Sequence, residues 1–247
     1  MAYRNFINID KEIIDKPIYR IMPINRILQT LEKETLTLVK PHKWDDPFEN
    51  ALLASSFQSS IGESGSISAK DSVYGQCWTL HRETDAMWRI YSQSKDGVRV
   101  STTPRKLLAA LKEFVGEYAE LKCFLGKVQY KRKSELLNSL KSIDLFNTNG
   151  SGIAESLLYK RIEFKHENEV RLIYCGDDNK CLNDLFHFKI NPNTLFDRIL
   201  FDPRMDEELR VAYKLAILEK NCEVEIRRSS LYDAPKNFSF NLQKIRR

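Results

Sequence analysis

A chain of 247 residues with 42% hydrophobic and 30% charged residues has an ordinary globular composition, which excludes disordered and fibrous classes. At this length one large domain buries roughly 70–75% of its unfolded surface. The formal net charge of +5 is a mild excess, concentrated around Lys131-Arg132-Lys133 and in the tail Lys244-Ile245-Arg246-Arg247; such runs can contact phosphates or simply be solvated surface.

The five cysteines are scattered without a C-x-x-C pair and the four histidines are dispersed, as expected of reduced thiols and not of a disulfide framework or zinc site. No apolar run approaches the ~20 residues of a membrane helix, and charges stand where a signal peptide would have its apolar core. The expectation is a cytoplasmic protein without a membrane partner.

In chain order, residues 1–16 read as an irregular arm, 17–233 as a single domain and 234–247 as a basic tail. Ile18-Tyr19-Arg20-Ile21-Met22 is a predicted strand with Arg20 in its middle. Pro23 then opens a helix whose Ile24, Ile27, Leu28 and Leu31 recur at i, i+3, i+4 and i+7. A strand over 35–40 leads into residues 41–50, turn chemistry with two prolines, three acids and two aromatics, read either as a loop pinned to the body or as the rim of a site. Eight serines and two glycines over residues 55–72 suggest a mobile insertion or lid.

Cys77-Trp78-Thr79-Leu80 precedes a helix capped by Thr84 or Asp85, with Met87, Trp88 and Tyr91 on one face. A strand over 97–103 and a helix opened by Thr103-Pro104 follow, with Leu107, Leu108, Leu111, Phe114 and Tyr118 inward. Residues 123–130 form a strand, Ser134 caps a helix carrying Leu136, Leu137, Leu140 and Ile143, and 153–161 are helical. If the stretch from Phe164 to Tyr174 is extended, Glu167, Glu169, Arg171 and Ile173 share one face and Val170, Leu172 and Tyr174 the other. Two adjacent carboxylates raise each other's pKa, which suits a functional site, although Glu, Glu and Arg on a strand also make an ordinary wet face. Strands over 184–190, 197–201 and 222–228 and a helix over 206–220 complete the pattern. Short strands and helices interleave without a βαβ period, so the class is α+β.

Phosphate-binding G-x-G-x-x-G and G-x-x-x-x-G-K loops, the G-x-S-x-G elbow and H-E-x-x-H are all absent. What is left is Arg20, Tyr91 with Ser101, and Glu167-x-Glu169. Tyr19-Arg20, Trp44-Asp45-Asp46-Pro47-Phe48-Glu49, Met87-Trp88-x-x-Tyr91 with Gly97-Val98, and Glu167-x-Glu169-x-Arg171 together resemble a widespread bacterial family of unknown function, which usually has N-D-P-F-E where Asp45 stands here. The order of these parts, over roughly residues 18 to 230, is similar to that of ADP-ribosyltransferases.

That resemblance implies a split β-sheet core flanked by helices and NAD as substrate, with ADP-ribose passed to a protein or nucleic-acid acceptor, in a setting of toxin action or phage defence. Arg20 would grip the NAD phosphates or the nicotinamide ribose, with Tyr19, Tyr91 and Ser101 completing the NAD contacts. Glu169 would bind the ribose hydroxyl and stabilise positive charge as nicotinamide leaves, and Glu167 would orient or deprotonate the acceptor. Two rivals stand beside this. One is a magnesium-dependent nuclease using Asp46 with Glu163-Phe164-Lys165 on a strand; the other is a non-catalytic nucleic-acid-binding or sensor module built on the basic patches.

Overall fold

The structure, a computed structural model, describes residues 4–58, 64–66, 68–145, 147–176, 181–236 and 239. The N-terminal arm is not wholly irregular: β1 (Phe6–Ile7) adds a parallel strand beside residues 125–126, and the Asn5 amide donates to the carbonyls of Glu120 and Cys123. β2 (Ile18–Pro23) runs into α1 (Ile24–Lys33), which Pro23 caps with φ −59°, at a point where a missing N–H leaves no intrahelical acceptor wanting. Ile24, Ile27 and Leu31 are buried and Leu28 half-buried, as the helical spacing predicts. The helix stops at Glu34, left-handed at φ 50°, whose N–H donates to the Thr30 carbonyl.

After β3 (Thr35–Val39) come two 3-10 turns, Pro41–Lys43 and Pro47–Asn50, then a small antiparallel hairpin of β4 (Ser56–Gln58) and β5 (Ser64–Ser66). The lid expected over 55–72 falls partly on residues 59–63 and 67, which lie outside the described residues. β6 (Val73–Thr79) is followed by α2 (Asp85–Tyr91), where the Thr84 hydroxyl accepts from the Met87 N–H at 3.1 Å. β7 (Gly97–Thr102) and α3 (Pro104–Val115), capped by Thr103, appear where predicted. Tyr118 does not continue that helix inward. It is left-handed, 61% exposed, and begins the short α4 (Ala119–Lys122).

β8 (Cys123–Lys127) and β9 (Gln129–Lys131) divide the predicted 123–130 strand, and α5 (Lys133–Lys141) starts after Arg132, not at Ser134. Only Leu136 and Leu140 of α5 are buried and Leu137 faces solvent, since nine residues give two turns of inward face. α6 (Ser151–Ser156) is shorter than the predicted helix, and its expected end is instead β10 (Tyr159–Arg161), drawn into parallel register with β9. Residues Ile162–Glu167 form a 3-10 turn, so Glu163-Phe164-Lys165 is not on a strand and Glu167 does not share one with Glu169. β11 (Glu169–Cys175), β12 (Cys181–Leu182), β13 (Leu185–Lys189), α7 (Pro192–Leu195), β14 (Arg198–Phe201), α8 (Glu207–Leu218) and β15 (Glu225–Arg228) follow. The basic tail over 234–247 falls largely outside the described residues.

The sheet runs β1-β8-β11-β6-β2-β7-β14-β15, with β3 and β13 branching from β6. β6 pairs along its whole length with β11 on one edge, while its other edge is shared: Thr79 opposes Tyr19 of β2, and Gly75 opposes Val39 of β3. The sheet therefore forks beside Cys77, where neither neighbour reaches. Mixed short strands, one forked sheet and packed helices make the α+β architecture expected of the chain. No helix among the described residues is long and apolar enough to cross a membrane.

The main core gathers α1, α3, β7, β11 and β13, with Tyr174 stacked on Phe186 at 4.0 Å between ring centroids. A second cluster places Phe124 and Ile173 against Leu157 and Leu158. Gly75 marks a close approach: a Cβ there would lie 2.6 Å from the Trp44 ring. Gly75→Ala should therefore expel Trp44 from its seat and lower unfolding free energy by about 1–3 kcal/mol in urea denaturation; unchanged stability would show that the notch has slack.

Candidate active site

Into the fork of the sheet opens a cavity of about 130 Å³, lined by Tyr19, Arg20 and Ile21 of β2, Cys77, Trp78 and Thr79 of β6, Met87 and Tyr91 of α2, and Glu167 and Glu169. Five residues singled out in the sequence thus meet: Tyr19, Arg20, Tyr91, Glu167 and Glu169. Ser101 does not join them. It lies on β7 opposite Tyr19, buried, and its carbonyl accepts from the Asp197 N–H at 2.8 Å.

Arg20 sits mid-strand. Its Nη1 is shielded from solvent and has no hydrogen-bond partner among the described residues. Burial lowers its pKa from the usual arginine value, opposed by Cys77 and Tyr91. A desolvated guanidinium with a free donor is costly unless an anion or a carbonyl completes it.

The acidic side of the cavity is bound together differently. The 3-10 turn that carries Glu167 ends on Asn168, left-handed at φ 44°, and Thr79 ties this turn to β6 by donating to the Glu167 carbonyl at 2.6 Å. Glu167 and Glu169 consequently converge on one ammonium although only Glu169 is on β11. Lys160 Nζ donates to Glu169 Oε1 at 2.8 Å, also to Glu167 Oε2, and lies 3.2 Å from Glu49 Oε1. Arg171, fully buried, donates from Nε to Glu169 Oε2 at 2.7 Å, from Nη1 to the Leu157 carbonyl at 2.6 Å, and from Nη2 to Glu49. Its guanidinium stacks on the Trp44 ring, 4.5 Å from the centroid. Residues 41–50 are thus pinned to the body and also supply Glu49 to this network.

These surroundings separate the two carboxyls. Burial would raise Glu169, but the Arg171 guanidinium, helped by Glu167 and Lys160, holds it well below the usual carboxylate range. Glu167 is pushed up to about 7, by burial first and then by its hydrogen bond and charge against Glu169, with Lys160 opposing. Tyr91 donates to Glu167 Oε1 at 3.2 Å, and burial followed by the Glu167 charge keeps its phenol protonated. The Tyr130 hydroxyl accepts from the Glu169 N–H at 2.8 Å and fixes the start of β11. Cys77, pushed up to about 12 by burial and then by Glu169, is no nucleophile at neutral pH.

The opposite wall has its own anchor. Glu83 accepts from Trp88 Nε1 at 2.8 Å and from Ser229 Oγ, and lies 3.7 Å from Arg99, whose guanidinium stacks on Tyr19 at 4.6 Å. This fixes α2, and with it Met87 and Tyr91, against β2. The nuclease arrangement does not assemble: Asp46 caps the Phe48 N–H and is paired to Arg161 at 3.1 Å, while Glu163 is exposed on its turn. Among the described residues no His, Cys, Asp and Glu cluster is arranged to hold a metal ion.

Sequence reasoning missed Lys160 as a site residue and quoted Glu49 and Arg171 only within motifs. The signal for Lys160 was its place at the end of the apolar run Leu157-Leu158-Tyr159, where a lysine must be buried or break the run.

Residues 87–172 match the model of a family described as a protein of unknown function (DUF2971). Among solved structures the chain is similar to DarT of Thermus sp. 2.9 in complex with NAD+, at 10% identity and a TM-score of 0.39, covering 87% of this chain and 96% of that one. The same protein in complex with ADP-ribosylated ssDNA is similar at 10% identity and a TM-score of 0.41, covering 87% and 94%. No curated protein matches the sequence.

Two outcomes follow from the ion network. Arg171→Ala leaves Lys160 alone against the three carboxyls Glu49, Glu167 and Glu169 in a dry site and should cost about 3–5 kcal/mol in chemical denaturation. Glu167 binds its proton more tightly folded than unfolded, so the stability it contributes is full below about 4.5 and is lost as the pH rises through about 7. Denaturation midpoints measured across that window should fall in the native protein and flatten in Glu167→Gln.

Proposed function

We propose that this protein is an ADP-ribosyltransferase-like enzyme that cleaves NAD at the nicotinamide bond and passes ADP-ribose to a nucleophile on a protein or nucleic acid. One observation carries the reading: a guanidinium with an unsatisfied donor and two carboxyls of opposite protonation preference line a single cavity. Arg20 supplies positive charge for the NAD phosphates or for the nicotinamide ribose. Whole-ligand pockets are typically about 300–1,000 Å³, so a cavity of about 130 Å³ suits one aromatic ring, with the rest of the dinucleotide toward the rim. Trp78, Met87 and Tyr91 offer that ring an apolar and aromatic surround.

The chemistry balances with these groups. The bond between the ribose anomeric carbon and the pyridinium nitrogen breaks, its electron pair stays with nitrogen, and neutral nicotinamide departs. Positive charge builds on the ribose, where the ionised Glu169 stabilises it; its Oε2 is taken by Nε and Nη2 of Arg171, while Oε1, engaged by Lys160, keeps a lone pair for the ribose hydroxyl. The acceptor oxygen or nitrogen bonds to the anomeric carbon and its proton moves to Glu167 in its ionised form, which is restored when that proton passes on to solvent. A carboxyl near 7 is matched to taking a proton at neutral pH, whereas Glu169, held ionised far below that, is matched to charge stabilisation.

The test is nicotinamide release from NAD without added metal, followed by chromatography. Glu169→Gln should reduce the rate at least about a hundredfold, and Arg20→Met should weaken NAD binding at least about tenfold by calorimetry. Intact NAD after incubation with mixed protein and nucleic-acid acceptors would remove the enzymatic reading.

A further inference from the structure

We propose that Glu49, which does not line the cavity, is a positioning residue that decides where the one surplus proton of the buried cluster resides, leaving Glu167 to exchange it while Glu169 stays ionised. Its functional consequence rests on the reading of the site as a transferase; its physical content does not.

The cluster holds two cations, Lys160 and Arg171, and three carboxyls, Glu49, Glu167 and Glu169, all buried. With every carboxyl ionised it carries one net negative charge in a dry site. One bound proton makes it neutral, and an uncompensated buried charge is costly enough for a proton to be taken up instead. The contacts decide which carboxyl takes it. Glu49 and Glu169 each face both cations, whereas Glu167 faces Lys160 alone.

Glu167 is also turned toward a like charge. It is faced by Glu169 at the head of β11, by Lys160 of β10, by the Tyr91 hydroxyl of α2 and, across Glu169, by Tyr130 of β9. Glu49 enters from the 3-10 turn of residues Pro47–Asn50 and occupies Arg171 Nη2 and a flank of Lys160. Without its charge the two cations would be balanced by Glu167 and Glu169 alone, and Glu167 would have no reason to keep a proton. Burial raises Glu49 as well, so the two carboxyls compete for that proton, with Arg171 and Lys160 tipping it away from Glu49.

The experiment is a carbon-detected NMR titration of the glutamate carboxyls in the whole chain, with the Glu167 resonance assigned by its loss in Glu167→Gln. The midpoint of Glu167 should lie near 7 in the native protein and fall by at least about one pH unit, tenfold in proton affinity, in Glu49→Gln. Glu49→Asp keeps the charge and should leave the midpoint near the native value. The double variant Glu49→Gln with Lys160→Gln removes one charge of each sign, so it restores the surplus carboxyl and should return the midpoint to the native value or above, which also serves if the single variant does not fold. A midpoint unmoved in Glu49→Gln, shifted equally by Glu49→Asp, or still depressed in the double variant overturns the proposal. If the midpoints move as expected and no nicotinamide is released, the transferase reading fails and this one stands; if both hold, the acid limb of the rate against pH, where Glu167 loses its ionised form, moves with the midpoint.

Discussion

The guanidinium of Arg171 is the point on which the site depends. It is fully buried, and a lone charge there would be far too costly to keep, so the fold surrounds it with Glu49, Glu169, the Leu157 carbonyl and the Trp44 ring. Those four partners come from three separate parts of the chain: the loop after β3, the segment entering β10, and β11 itself. Satisfying one cation therefore assembles the acidic wall of the cavity. Lys160 repeats the logic one step nearer to solvent and brings Glu167 in beside Glu169.

The two walls are built on opposite principles. On the acidic side charges are nearly balanced and each polar atom is engaged, so the carboxyls are fixed in place and their proton affinities are set by neighbours. On the β2 side Arg20 is left with a donor that none of the described residues completes. Tyr19 and α2 are held firmly around it through Arg99 and Glu83, so the vacancy in hydrogen bonding is not slack in the structure. The β2 wall thus carries buried guanidinium donors, on Arg20 and Arg99, without partners among the described residues, opposite carboxyls whose proton affinities are set by their neighbours.

Much of this architecture was legible from residue order. β2, α1 and α8 fall within a residue or two of expectation, and α3 starts at its expected Thr103-Pro104 cap but ends at Val115, short of Tyr118. The break between β8 and β9 and the strand β10 were not legible, because three-residue strands leave too few positions for alternation to register, and β10 is extended only through its pairing with β9. The left-handed Asn168 likewise broke the expected continuous strand, yet it still delivers Glu167 to the same ammonium as Glu169 by a turn in place of a pleat. Ser101 failed for a different reason: it sits on β7, one strand beyond the fork that forms the cavity. Lys160, and the role of Glu49 beyond its place in a motif, were invisible because the need for them arises only once Arg171 is known to be buried.

The notch at Gly75 links two stretches that lie far apart in sequence. The indole of Trp44 occupies the space where any larger residue at 75 would project, and that same indole lies flat against Arg171. Divergence at either position is thereby conditional on the other: a lineage could enlarge residue 75 only after shrinking residue 44, and the intermediate would uncover the guanidinium. Homologous chains should accordingly vary at 44 and 75 as a pair or not at all, a coupling that a sufficiently deep family alignment would register as covariation.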